Sequence, residues 1–172
     1  NTVAVGKGSA KAWYADIGAV PNVPPEQLAS CATPFGAAVA SALPRVPFLD
    51  GSRSACDWKS DADSVQPGAL PPSKMPSLMR DDYVANMNDS YWLSNPKEPL
   101  TGFPTIMGPA GSESVTMRTR LGHLMAQGRL DGTDGYGGNK ATVDVVKQMV
   151  LNSRVHTAEL FKAQALPVVC AR

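Results

Sequence analysis

Proline and glycine set the first limit on what this chain can fold into. It carries fifteen of each, and of the thirty together most lie between residues 20 and 111, the prolines above all. Proline fixes φ and removes a backbone donor, and glycine loosens whatever regular element it enters. A stretch interrupted this often cannot be stacked helices, so its order has to come from turns, short elements and packing. Loops of that length are uncommon inside a compact domain unless they are functional or packed on another chain; packing on another chain is the expectation here. Regular structure is expected on either side: a β-hairpin over residues 1–20, a loop-rich segment over 21–111, and a helical segment over 112–172. That is an α+β chain, long enough for one ordinary domain with a sizeable core.

Residues 1–5 and 12–20 are apolar and partly β-branched, and Gly6-Lys-Gly-Ser between them reads as the hairpin turn. The second arm does not alternate cleanly, which suits a sheet covered on both faces. Residues 26–29 are predicted as a helical turn, 35–43 as a short helix ended by Pro44, and Asp50-Gly51 as a turn. The Pro-rich run 67–75 is predicted to lie extended over a surface. Residues 82–90 are predicted as a strand or extended segment closing in an Asn/Asp-rich turn. In the last third, Ser112 is predicted to cap a helix over 113–127, with Val115, Met117, Leu121, Leu124 and Met125 on its apolar side. Thr142 caps a second helix with Val143, Val146, Met149 and Val150 as its buried stripe. A third helix starts at His156 or Thr157 and is expected to stop at Pro167.

Several function classes are excluded early. The net charge is +1 with basic residues scattered, so no stripe is available for nucleic acid. No apolar run approaches the roughly 20 residues that a membrane-spanning helix needs. Gly6-Lys-Gly-Ser lacks the spacing of a phosphate loop and a helix after it. Asp57, Asp61 and Asp63 lack the glycine and terminal glutamate of a calcium loop, and read as a solvated acidic loop. His123 and His156 have no Ser/Asp arrangement beside them and read as structural or solvated. No metal and no cofactor is expected. The three cysteines have no metal-ligand or redox spacing. Cys31 and Cys56 sit in polar, turn-rich sequence and make a plausible disulfide, which implies an oxidising compartment. The alternative is two free thiols in a reducing one. Cys170 is left free or paired outside the chain. The chain opens on Asn1 with no Met and no basic leader, and both of its ends are expected to be internal breaks in a longer protein.

Three stretches together carry a family resemblance: Asn1-Thr-Val-Ala-Val with Trp13-Tyr-Ala-Asp; Leu49-Asp-Gly-Ser-Arg-Ser-Ala-Cys56; and residues 81–104, which run DDYVANMNDSYWLSNPKEPLTGFP. The chain resembles the large subunit of the penicillin-acylase family, in its acyl-homoserine-lactone and aculeacin acylase branch. The resemblance runs from residue 1 to about 166. It implies a fragment of an N-terminal-nucleophile αββα fold, taken from an exported precursor that cuts itself into a small and a large subunit. In such enzymes the serine that opens the large subunit attacks an amide. A side-chain amide and a backbone N–H then hold the developing oxyanion, and loss of one donor costs about 3–4 kcal/mol. The resemblance implies that Asn1 is this donor, because in the family the donor Asn opens a strand of the form Asn-x-x-x-Ala-Asp.

The departures matter equally. No Ser, Cys or Thr stands at residue 1, so the chain has no self-activated nucleophile. The arginine that family members often carry beyond the hairpin is absent from residues 20–26. The chain alone is therefore expected to be inactive, its partners being the small subunit and the Ser-initiated segment of the same precursor, with an N-acyl small molecule as substrate. Asn86 and Asn88 are weaker candidates for substrate binding, since Asn in such a turn more often serves its own backbone. The expected location is secreted or periplasmic. The alternative is a non-catalytic structural or binding module derived from an acylase.

Overall fold

The computed structural model describes residues 2–5, 12–15, 20–43, 48–88, 91–107 and 115–171. The expected turn at Gly6-Lys-Gly-Ser, the helix stop at Pro44 and the Ser112 cap lie outside them. The chain divides into two compact units, residues 1–84 with 90–113, and residues 85–89 with 114–172.

The first unit is built on strands β1 (Thr2–Val5) and β2 (Ala12–Ala15), which pair antiparallel as the hairpin reading requires. A third strand, β3 (Ser77–Arg80), joins the far side of β2, giving the order β1-β2-β3 with β1 and β3 as the edges. Register is closed across all three: Thr2 faces Ala15 and Ala15 faces Ser77, while Val5 faces Ala12 and Ala12 faces Arg80. Of the two readings of 82–90, strand or extended segment, the described residues 82–88 take the second: the ladder lies upstream of them, and they run without a strand into the Asn86–Asn88 turn. The Asp82 carboxylate accepts the Tyr83 N–H at 2.7 Å, and the Asn86 side chain accepts the Asn88 N–H at 2.8 Å. Side chains that bond their own backbone in this way compete with a ladder.

Between β2 and β3 the chain makes two short helices, α1 (Pro25–Cys31) and α2 (Pro34–Ala42), each with Pro in its first turn, where no intrahelical donor is needed. Thr33 caps α2 by accepting the Gly36 N–H at 2.9 Å. α1 is longer than the predicted turn because its buried Gln27 reaches the Asp57 carbonyl at 2.7 Å and its last residue is covalently fixed. Cys31 and Cys56 form a disulfide with Cα atoms 5.6 Å apart, and both residues are buried.

Residues 67–75 correct a second expectation. They do not run over a surface: residues 68–71 are buried and Leu70 is 1% exposed. The backbone explains it, since Leu70 donates to the Val20 carbonyl at 2.7 Å and Asn22 donates to that of Gly68 at 2.9 Å. With one donor and one acceptor of the segment satisfied against residues 20–22, Leu70 can turn inward. Leu70, Met75, Phe103 and Met107 form the core, with Val20, Trp92, Leu100 and Ile106 packed around them. Only Pro72–Lys74 forms an exposed 3-10 turn.

The second unit contains α3 (Met117–Asp131), α4 (Val143–Leu151) and α5 (His156–Val169), with α3 packed on α5. α3 begins later than predicted, at a Thr116 cap whose hydroxyl accepts the Thr119 N–H at 3.2 Å. Gly128 lies within it, and it ends at Gly132 in the left-handed region (φ 70°). Its buried residues are Thr119, His123 and Arg129, whereas Leu124 from the predicted apolar side is exposed. Arg129 pairs with Asp134 at 3.2 Å, with side chains only 7% and 4% exposed. The same guanidinium donates to the carbonyls of Gly137 and Gly138, so one cation organises the glycine-rich loop after α3.

α4 is capped by Thr142 as expected, yet its supposed buried stripe is exposed: Val143 and Val150 are 71% and 70% accessible. Amphipathic spacing marks a face that gains from cover, and no cover is guaranteed by it. Pro167 lies inside α5 and does not stop it. It sits in the last turn of an exposed helix, so the donor it lacks is a single bond near a fraying end.

Candidate functional site

The oxyanion candidate Asn1 lies outside the described residues, and what is described is the strand it enters. Among the described residues that strand is paired with β2, which is in turn paired with β3. Asn86 and Asn88 are in the second unit and shape one turn. Asn88 adopts φ 68°, and its side-chain oxygen accepts from Arg118 Nη1 of α3 at 3.1 Å. Asn tolerates this left-handed conformation better than bulkier residues do.

The polar cluster that sequence reasoning missed lies where β3 ends. Arg80 grips Asp82 with two parallel bonds, Nε to Oδ1 and Nη2 to Oδ2, both 2.9 Å. Its third nitrogen reaches Glu98 at 2.7 Å. Asp82 also accepts from Asn95 Nδ2 at 3.1 Å and pairs with Lys97 at 3.2 Å. Asn95 is 0% exposed and uses both ends of its amide: Nδ2 also donates to the Tyr83 carbonyl at 2.8 Å, and Oδ1 accepts the Lys97 N–H at 2.9 Å. The Arg80 bonds hold the Asp82 carboxyl far below the usual carboxylate range, against a smaller opposing effect of burial. Bonds to Asp82 and then Glu98 keep Arg80 firmly charged.

This chemistry is that of an anchor. A general base needs a pKa near the working pH and an accessible lone pair, whereas Asp82 is strongly acidic and surrounded by donors. The signal was present in the sequence as Arg80-x-Asp82 with Asn95-x-Lys97-Glu98, but nothing in the spacing shows that the two groups meet. Elsewhere in the first unit the acidic loop is tied down: Asp61 bonds Lys74 at 2.7 Å and Asn22 at 2.8 Å, and Asp63 accepts the Ser73 N–H at 3.1 Å. Among the described residues no group of three His, Cys, Asp or Glu is placed to hold a metal ion. In the second unit His156 contacts Glu159 at 3.4 Å and His123 is buried in α3.

The chain matches no protein-family model. It is 42% identical over 163 residues to aculeacin-A acylase of Actinoplanes utahensis, across 94% of this chain and 20% of that protein. It is 39% identical over 160 residues to the acyl-homoserine lactone acylase PvdQ of Pseudomonas putida, across 93% of this chain and 18% of that one. The PvdQ of Pseudomonas savastanoi pv. phaseolicola is 34% identical over 172 residues, across 97% and 19%. The chain is a homologue of these acylases. The similarity agrees with the penicillin-acylase resemblance of the sequence and extends over both compact units. The chain spans about a fifth of the length of the acylases it matches. No described helix is long and apolar enough to cross a membrane.

Proposed function

We propose that this chain is part of a secreted or periplasmic amidohydrolase that cleaves the amide bond of N-acyl compounds, whether N-acyl-homoserine lactones, acylated lipopeptides or penicillins. The observation that carries the reading is its similarity, along nearly its whole length, to proteins named as acylases of two such substrate classes. In this reading both units belong to one large-subunit domain of N-terminal-nucleophile αββα type. The chain supplies an oxyanion donor through Asn1, and a serine in another segment of the precursor supplies the attack. Asn86 and Asn88 act on substrate only through the shape of their turn. The buried Cys31–Cys56 disulfide supports an oxidising location.

The division of labour is testable. Stabilising a developing oxyanion achieves nothing until something attacks the carbonyl, so the isolated chain should hydrolyse neither acyl-homoserine lactones nor penicillins. In the longer enzyme, Asn1→Ala should lower kcat by about 10²–10³ with a smaller change in KM, because the donor acts mainly in the transition state. Turnover by the isolated chain would refute the shared site. If no Ser-initiated partner co-purifies with the native protein, the non-catalytic module becomes the better reading.

A further inference from the structure

We propose that the Arg80–Asp82–Asn95 clamp is a positioning unit for the reaction: it sets the register and depth of β3 and, through β2, the place of the strand that Asn1 enters. The inference rests on the functional reading above. Four observations carry it.

First, the three strands are in continuous register, so a displacement of β3 is passed through β2 to β1. Second, β3 is short, with four residues paired to β2 and, among the described residues, no strand on its other side. A slip of one residue would send every side chain to the opposite face, and with Leu78 the single buried residue of four, the register gains from a second hold.

Third, β3 is pinned at both ends by different means. Met75 in the core and buried Leu78 hold its start and middle. The clamp holds its exit, because Arg80 is the last strand residue and Asp82 follows two positions later. Fourth, the clamp joins that exit to the core: Asn95 binds Asp82 and the Tyr83 carbonyl, and its loop is closed by the Leu100 N–H on the Trp92 carbonyl at 2.8 Å. Leu100 and Trp92 pack against Leu70, Met75, Phe103 and Met107. The strand is thereby tied to the rigid part of its unit.

The Arg80 row and the Thr2 row are three residues apart, which is roughly 10 Å along a strand. The clamp is therefore set back from the end of β1 that Asn1 precedes, and we assign it a positioning role and not a catalytic one. It acts through Asn1, and displacement of a catalytic group by about 1 Å can cost 10²-fold in rate. The geometry of the grip is the useful part. Two parallel bonds from a planar guanidinium fix angle as well as distance, which a lysine at the same place would not do.

The test is a double-mutant cycle in the longer enzyme. Asp82→Asn and Arg80→Lys are each made alone and together with Asn1→Ala, and kcat and KM are measured on an N-acyl substrate. Each clamp variant should lower kcat about 10–100-fold with KM nearly unchanged, with Arg80→Lys the milder. In the Asn1→Ala background either change should cost almost nothing further, because the group being positioned is gone. Circular dichroism confirms that each variant is folded, and if Asp82→Asn is not, Arg80→Lys carries the cycle. Additive losses, a rise in KM matching the fall in kcat, or no loss at all would overturn the proposal. Asn1→Ala alone separates the two readings. An enzyme indifferent to it sinks the functional reading and this inference together. A sensitive enzyme with additive losses sinks this inference only.

Discussion

Reducing the Cys31–Cys56 bond should destabilise the first unit by a predictable amount. The bond joins the last residue of α1 to the 3-10 turn Ser54–Cys56 at a sequence separation of 25. The loop it closes contains α2 and the Ala32–Leu49 bridge, and the bond ends are further held by the Asp50 N–H on the Cys31 carbonyl at 2.8 Å. For a loop of this length, the entropy that the crosslink removes from the unfolded chain gives about 3.5 kcal/mol at 25 °C. Cys31 and Cys56 are 2% and 3% exposed, so the thiols formed on reduction stay buried as small apolar groups and little packing is lost. In a protein of this size the loss should lower the melting temperature by roughly 7–14 °C. The assay is thermal unfolding by circular dichroism with and without a phosphine reductant, with reduction verified by a gain of two mass units. Cys31→Ala with Cys56→Ala should come close to the reduced value, whereas Cys31→Ser with Cys56→Ser should fall below it, because two hydroxyls would be buried where the thiols are apolar. A fully reduced protein that melts with the oxidised one would refute the reasoning. A non-reducing peptide map linking either residue to Cys170 would refute the pairing.

Three further outcomes follow from the same geometry. Gly36→Ala should destabilise α2 by about 1–3 kcal/mol, as measured by urea unfolding, because the new Cβ would lie 2.5 Å from the Phe48 carbonyl oxygen. Asp134→Asn should cost about 3–5 kcal/mol, since it leaves the Arg129 guanidinium buried without its counter-charge, whereas Arg129→Met combined with Asp134→Leu should cost much less. Asp82 has a folded pKa below its unfolded value near 4, so its contribution is complete above that value and is lost as pH falls through the folded one. Asp82→Asn should therefore flatten the decline in stability below about pH 4, and acid unfolding curves that superimpose for the two proteins would contradict this.

What the sequence showed, and what it hid, divides along physical lines. The β1–β2 pair, the starts of α1 and α2 and the Thr142 cap were legible because each rests on local chemistry: β-branched runs, Pro in a first turn, a hydroxyl before a helix. β3 was missed because Ser77-Leu-Met-Arg80 contains no β-branched residue and its ladder is formed with residues more than sixty positions earlier. Ser112 and Thr116 are both hydroxyl residues ahead of the same helical run, so composition did not decide between them. The burial of Leu70 depends on backbone bonds to residues 20–22, which a Pro-rich segment does not announce. The clamp was hidden for the same reason as β3. Asp82, Asn95 and Glu98 stand in the quoted motif and Arg80 directly before it, but their meeting depends on how the intervening loop folds back. The identity of Asn1 as a candidate came from resemblance alone, since an Asn at the start of a strand has no distinguishing chemistry.

The edge position of β1 has a practical consequence for anyone handling this polypeptide. Among the described residues β1 is bonded to β2 alone, and a strand bonded to one neighbour leaves a row of amides and carbonyls that is a template for further strands. Purified at high concentration without its larger context, the chain should assemble edge to edge, scattering light and binding thioflavin T more strongly as concentration rises. A lysine placed on the outer edge at Thr2 or Ala4, or a short β-strand peptide added in excess, should suppress that assembly. The region of the molecule that we assign to chemistry is thus also the one that sets its shelf life.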